Sequence, residues 1–243
     1  MHDDNCFVTL TYDDENLPYG ETLHRPDFQK FMKRLIKNSG QKIRLFYCGE
    51  YGDDTQRPHY HACLFGYRPS DPELFSTTGE YKLYTSPFLS KTWGLGHASF
   101  GDLTFETAAY TARYCVKKIT GKNAKVHYET QDPDTGEIIE RVPEFSGSSR
   151  RPGIGATWLQ KYGSDTYDKN EVVLRGMAMK PPRYYDNTFS KIDAALVELC
   201  KQERSAIRQE TILKLGPNYA HSRRQYAALK IAEKRLTTRD HIK

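Results

Sequence analysis

The sequence predicts an α+β fold, in which a central antiparallel sheet is flanked by helices and followed by a C-terminal helical segment. Three observations predict it. Short β-branched and aromatic runs recur through the first hundred residues, two well-marked amphipathic helices fall among them, and the last third of the chain loses the strand pattern. The coarse order is β-α-β-β-(β)-α and then a helical tail, which predicts helices on one face of the sheet.

Cys6–Tyr12 (CFVTLTY) reads as the first strand, broken by Asp13-Asp14-Glu15-Asn16-Leu17-Pro18. Phe28, Phe31, Met32, Leu35 and Ile36 then recur at i, i+3, i+4, i+7 and i+8, with Pro26 at the start and Gly40 past the end, the pattern of an amphipathic helix. Ile43–Glu50 (IRLFYCGE) is a second strand. A polar loop holding Gly52, Asp53, Asp54 and Pro58 leads to a third, His59–Phe65, and is short enough for the two to pair as a hairpin. After a less regular stretch, His97–Leu103 supplies another strand. A helix over Phe105–Ile119 follows, with Thr104 as N-cap, Glu106 in its first turn, Lys117 and Lys118 in its last, and Gly121 beyond.

Residues 121–153, rich in Asp, Gly, Pro and Ser, read as an exposed insertion with a hairpin around Asp132-Pro133-Asp134-Thr135-Gly136. Helical stretches around Thr157–Tyr162 and from Ser190 onward account for the rest, without an internal repeat. The expected division is a domain over 1–185 and a basic helical region over 186–243.

Composition excludes several classes. With 37% hydrophobic and 28% charged residues, the chain is neither disordered nor membrane-spanning, and no apolar run approaches a membrane span. Met1-His2-Asp3-Asp4 lacks the basic and apolar regions of a signal peptide, which places the protein in a cytoplasm. Five scattered cysteines (6, 48, 63, 115 and 200), with no CxxC pair, argue against a disulfide framework or a four-cysteine zinc site. Charge is uneven: residues 1–140 hold 16 Lys/Arg against 20 Asp/Glu, whereas residues 141–243 hold 20 against 11. A basic second part can track phosphates, or it can be the solvated faces of helices.

The sharpest motif is Pro58-His59-Tyr60-His61. On a strand, alternate side chains share a face, so His59 and His61 point together while Tyr60 points away. Two imidazoles so placed, with Glu50 arriving from across the hairpin, can ligate one divalent ion and leave coordination positions open. Mixed nitrogen and oxygen ligation is compatible with Mn²⁺ or Mg²⁺ and does not exclude other metals. Two histidines that merely alternate on a half-buried strand would read the same.

The second motif is Ala109-Tyr110-Thr111-Ala112-Arg113-Tyr114-Cys115-Val116-Lys117-Lys118. Tyr110 and Tyr114 lie at i and i+4, so their hydroxyls leave one helix face, with Lys117 close by. A phenol with a pKa of about 10 is a poor nucleophile at neutral pH, and a metal-bound phosphate and a lysine would favour its phenolate. Aromatic pairs at this spacing also serve as plain core packing.

Together, these residues carry a resemblance. Phe7-Val8-Thr9-Leu10-Thr11-Tyr12, His59-Tyr60-His61 and Tyr110…Tyr114-Cys115-Val116-Lys117 resemble the three motifs of the HUH endonucleases that initiate rolling-circle replication. The fuller strings FVTLTYDDENLP, GEYG…RPHYHACLFG and AAYTARYCVKK, with Ser149-Arg150-Arg151-Pro152-Gly153, are similar to the initiators of single-stranded DNA phages, the microviruses of gokushovirus type. The likeness covers roughly residues 5–185. It implies an RRM-like catalytic sheet carrying the His pair. It further implies nicking of a single-stranded viral origin through a 5′-phosphotyrosyl intermediate, a 3′-OH that primes synthesis, and strand rejoining.

On this resemblance His59, His61 and Glu50 are the metal ligands, Tyr110 and Tyr114 the nucleophile pair, and Lys117 the assisting lysine. Arg57, Arg113, Lys118, Arg150 and Arg151 are candidates for contacting DNA. The partners implied are the origin strand and a host helicase and polymerase, in the cytoplasm of a host bacterium, since no GxxxxGK[ST] phosphate loop occurs. Such phage proteins usually carry a Cys-containing segment ahead of the first motif. This chain reaches that motif within a few residues of Met1, and so reads as a truncation or an internal start. Two other readings stand beside the initiator: a noncatalytic RRM-like nucleic-acid-binding module, and a single-tyrosine HUH transposase or relaxase. The order of the motifs and the second tyrosine disfavour the latter.

Overall fold

The computed structural model describes residues 1–52, 55–114, 119, 124–132 and 135–216, with the Tyr114 side chain left aside. The chain divides into two compact units, Met1–Ile154 and Gly155–Lys243. The first contains β1 (Asn5–Tyr12), α1 (Arg25–Ser39), β2 (Arg44–Tyr51), β3 (Pro58–Phe65), β4 (Glu73–Thr78), β5 (Tyr81–Thr85), α2 (Pro87–Trp93), β6 (Gly96–Gly101) and α3 (Phe105–Tyr114). It ends with α4 (Ala124–Tyr128), β7 (Glu129–Gln131), β8 (Ile138–Glu140) and β9 (Phe145–Ser148).

Seven strands form one sheet in the order β4-β5-β6-β1-β3-β2-β9, every neighbouring pair antiparallel. This is the antiparallel α+β sheet that the sequence predicts. The alternation of β1 explains its place at the centre. Cys6, Val8, Leu10 and Tyr12 are buried and meet Tyr60, Ala62 and Leu64 of β3 and the Phe28, Phe31, Met32 and Leu35 stripe of α1. Each large apolar side chain buried there contributes about 1.5–3 kcal/mol. Ile36, the last residue of the predicted stripe, is exposed.

Helix α1 stops at Gly40, whose left-handed φ of 66° lets its N–H donate to the Ile36 carbonyl at 3.1 Å. Helix α2 was not anticipated from the sequence, although its signals are present. Ser86 caps it by accepting from the Leu89 N–H, Pro87 opens it, and Gly94 closes it in the left-handed conformation. Arg34 of α1 donates to the Thr92 and Trp93 carbonyls at 2.9 Å each, placing a cation at the C-terminal end of α2.

The expectation of helices on one face is corrected by α3. Helix α1 packs on one face, whereas α3 packs against β2 and β3 on the other, where Thr111 Oγ1 lies 3.6 Å from Cys63 Sγ. Thr104 caps α3 reciprocally: its hydroxyl accepts from the Thr107 N–H, and its own N–H donates to the Thr107 hydroxyl. The predicted end of this helix at Ile119, with Lys117 and Lys118 in its last turn, and Gly121 beyond it, lie outside the described helix.

The expected hairpin in 121–153 is the β7–β8 pair. The same segment also supplies β9, which joins the main sheet beside β2, so the insertion is not wholly peripheral.

The second unit holds α5 (Ala156–Asp168), a hairpin of β10 (Val172–Leu174) and β11 (Met177–Met179), α6 (Arg183–Phe189) and α7 (Ala194–Leu215). Leu159, Tyr167, Phe189, Val197 and Cys200 form its core. Tyr167 donates to Asp186, which also pairs with Arg204 at 3.0 Å. The expected division at 185/186 therefore falls inside α6, and the sheet-bearing unit ends at Ile154.

Candidate functional site

The β2–β3 hairpin register brings the metal-ligand candidates together. Glu50 faces His59 and Cys48 faces His61, so Glu50 and both imidazoles emerge on the sheet face opposite α1. Tyr60, between the histidines, points into the core as predicted and is fully buried. Glu50 Oε1 lies 2.9 Å from His59 Nε2 and 3.0 Å from His61 Nε2, and one ligand atom from each residue falls within 4.8 Å of the others. The imidazole rings stand 4.9 Å apart at 84°, so their nitrogens converge while their faces do not stack.

Burial pushes the Glu50 carboxyl upward, but the two imidazoles more than offset it and hold the carboxyl below its ordinary value. Glu50 is therefore an anion at neutral pH although it is only 2% exposed. A buried carboxylate is tolerable only with cationic or donor partners.

The hydrogen bonds on the far side of the rings test whether a cation fits. His59 Nδ1 lies 3.0 Å from the Arg57 carbonyl oxygen, which can only accept. That nitrogen must therefore carry the proton, and the Nε2 of a neutral His59 presents a lone pair to Glu50 Oε1. Two lone pairs at 2.9 Å repel unless a proton or a metal ion lies between them. Two imidazole nitrogens and a carboxylate oxygen suit a divalent ion such as Mn²⁺ or Mg²⁺, with His nitrogens held from behind as metal-bound histidines are.

Helix α3 delivers Tyr110 to this cluster. Its ring meets His61 edge-on, with centroids 5.3 Å apart at 80°, and meets Phe7 at 6.3 Å and 82°. Thr111, fully buried against Cys63, fixes the rotation of the helix that makes this possible. Tyr114 closes α3 with its side chain outside the described residues, as Lys117 and Lys118 are altogether.

The basic candidates occupy different situations. Arg57 pairs with Asp14 and donates to the Tyr12 carbonyl, tying the end of the hairpin loop to β1. Arg113 is exposed on α3 and donates to the Ala109 carbonyl one turn back. Arg150 and Arg151 are exposed in the turn after β9, and the Arg151 carbonyl accepts from Arg44.

Two side chains at the site escaped the sequence reading. Phe7 stacks on His61 at 5.3 Å and 13°, and Thr9 Oγ1 lies 3.0 Å from His61 Nδ1. Both belong to the outward-facing set of the FVTLTY strand. The signal lay in that alternation combined with the β1–β3 pairing, which sets Thr9 opposite His61.

With this geometry in place, comparison with known proteins gives a consistent result. Residues 5–119 match the family described as Replication-associated protein ORF2. Replication-associated protein VP4 of Bdellovibrio phage phiMH2K is 37% identical over 202 residues, which cover 79% of this chain and 59% of that protein. Replication-associated protein ORF2 of Spiroplasma virus 4 is 31% identical over 224 residues, covering 86% of this chain and 65% of the relative. For ORF4 of Chlamydia phage 1 the figures are 27%, 87% and 52%. The chain thus spans between about half and two thirds of the length of these relatives. No solved structure matches it significantly.

Proposed function

We propose, from the kinship of this chain with phage replication-associated proteins, that it is a rolling-circle replication initiator that nicks and rejoins single-stranded origin DNA. The observation that carries this reading is the convergence of Glu50, His59 and His61 on one sheet face with the Tyr110 ring set against His61.

Glu50, His59 and His61 would hold one divalent ion, Mn²⁺ or Mg²⁺, which when bound supplies positive charge to a scissile phosphate. The residues do the rest. Tyr110 Oη attacks the phosphorus of a DNA phosphodiester, forming a tyrosyl–O–P bond. The P–O3′ bond breaks, the phenolic proton is given up, and the departing 3′ oxygen takes a proton to become a 3′-OH. Attack by a 3′-OH on the phosphotyrosine reverses these changes and rejoins the strand without ATP. Tyr114, one turn further along, is the second nucleophile, and Lys117 favours the phenolate. Arg113, Arg150, Arg151 and Lys118 are the proposed phosphate contacts. The proposed setting is the cytoplasm of a host bacterium, with host helicase and polymerase; no helix among the described residues is long and apolar enough to cross a membrane.

The test uses single-stranded oligonucleotides tiling the circular replicon that encodes the chain, incubated with Mn²⁺ or Mg²⁺ and run on a denaturing gel. A covalent adduct is expected, lost on chelation, in His59→Ala, and in the Tyr110→Phe, Tyr114→Phe double variant. Absence of an adduct on every oligonucleotide would overturn the nicking reading and leave a noncatalytic nucleic-acid-binding module.

A further inference from the structure

The FVTLTY strand is the one motif that the proposed chemistry leaves without a task. Its inward residues, Val8, Leu10 and Tyr12, make core; its outward residues include Phe7 and Thr9, both touching His61. The two histidines are held from behind by groups of different chemistry. The Arg57 carbonyl behind His59 can only accept, so His59 keeps its proton on Nδ1. The Thr9 hydroxyl behind His61 can donate or accept, because its proton rotates about the Cβ–Oγ bond.

We propose that Thr9 is the positioning residue of the metal centre, and that its hydroxyl lets His61 exchange tautomers as a divalent cation binds while His59 stays fixed. Without the ion, Thr9 donates to His61 Nδ1, and the Nε2–H of His61 donates to Glu50 Oε1 across 3.0 Å. With the ion, the hydroxyl turns to accept from Nδ1–H, and the Nε2 lone pair becomes a ligand. No bond to carbon changes: one proton moves between the ring nitrogens through solvent. Phe7, stacked at 5.3 Å and nearly parallel, keeps the ring in plane during the exchange. The inference rests on the metal-binding part of the proposed function.

The pairing partner makes the arrangement specific. Thr9 and His61 sit directly opposite in the β1–β3 register, so the hydroxyl reaches Nδ1 without bending either strand. Valine at the same position keeps the β-branched shape and the strand preference but has no hydroxyl. Partners behind metal-bound histidines typically matter by 10–100-fold in metal affinity.

The experiment measures Mn²⁺ affinity of the whole chain by electron paramagnetic resonance, in wild type, Thr9→Val, Thr9→Ser and His59→Ala, with melting curves recorded for each. Thr9→Val is expected to weaken Mn²⁺ binding by about 10–100-fold at an unchanged melting temperature of the metal-free protein. Thr9→Ser, which restores a rotating hydroxyl, should bind close to wild type. Nitrogen-15 spectra should find metal-free His61 protonated on Nε2 and the Mg²⁺-bound ring on Nδ1, with His59 on Nδ1 in both. Equal affinity in wild type and Thr9→Val, or a His61 tautomer that does not change, overturns the proposal while leaving the metal centre intact. Failure of wild type itself to bind Mn²⁺ overturns the centre and the proposal together. Should Thr9→Val melt early, the comparison of Thr9→Ser with wild type and the wild-type tautomers still decide the matter.

Discussion

Replacing Tyr60 by Phe isolates one hydroxyl on the core side of the strand that carries both histidines. Its oxygen accepts from the His24 N–H at 3.0 Å, and lies 2.9 Å from the His24 carbonyl and 2.9 Å from Tyr12 Oη. Burial pushes the phenol up to about 12, so it is a neutral donor and acceptor throughout the physiological range. Phenylalanine keeps the ring against Phe28 and Trp93 and removes only these polar contacts. The His24 carbonyl keeps the Asp27 N–H, and Tyr12 keeps Asp27, so the principal orphan is the His24 N–H at the start of α1. An orphaned buried donor costs about 1–3 kcal/mol, and because His24 lies at the surface, water recovers part of it, leaving about 1–2 kcal/mol. For a unit of this size that is a fall of about 2–8 °C in melting temperature. Urea unfolding followed by circular dichroism should move its midpoint down without changing its slope, while Mn²⁺ affinity stays at the wild-type value. An unmoved midpoint would refute the hydrogen-bond accounting. A loss of metal affinity as large as that of Thr9→Val would refute the separation of the two faces.

Two further expectations follow from the same sheet. Saturating metal should stabilise the wild-type chain by about 2.7 kcal/mol at a hundredfold excess over Kd, or about 5–11 °C in melting temperature; Glu50→Gln, which keeps the shape and removes the charge, should show no metal-dependent shift in the same scanning measurement. At Asp71 slight burial raises the carboxyl, but the Ser86 hydroxyl and the Phe88 N–H donate to it and leave it below its ordinary value. A depressed folded value means that the stabilisation is complete above the unfolded carboxylate range and disappears as pH falls through the lower folded value. Wild type should therefore exceed Asp71→Asn in stability at neutral pH and converge with it in acid; a gap that persists to low pH would remove Asp71 from the account.

The legible parts of the fold were those whose pattern is set by one buried face. β1, α1, β3 and the Thr104 cap of α3 announce themselves because every second or every third and fourth residue meets the core. The β4–β5 hairpin does not, since Glu73–Thr78 is exposed on both faces and has no alternation to read. β9 was hidden for another reason: Phe145-Ser146-Gly147-Ser148 has little strand propensity and is ordered by pairing with the free edge of β2. Within the site, the HxH spacing and a short hairpin were enough to place Glu50. The approach of Tyr110 was not derivable, because an amphipathic helix can dock on either face of a sheet, and Thr111 against Cys63 decides which.

That difference in legibility has a consequence for where function can be lost. A register slip of one residue in β3 would send His59 and His61 into the core and Tyr60 into the site. Holding the register is thus as necessary to the metal cluster as the ligands themselves. The groups that hold it lie off the site face: the Tyr60 hydroxyl on His24, and Arg57 bridging Asp14 and the Tyr12 carbonyl at the hairpin end. Arg57 then has two tasks in one residue, since its side chain pins the loop while its carbonyl fixes the His59 proton. Its guanidinium is committed to β1, so the structure favours a positioning role over the DNA contact that the motif alone suggested.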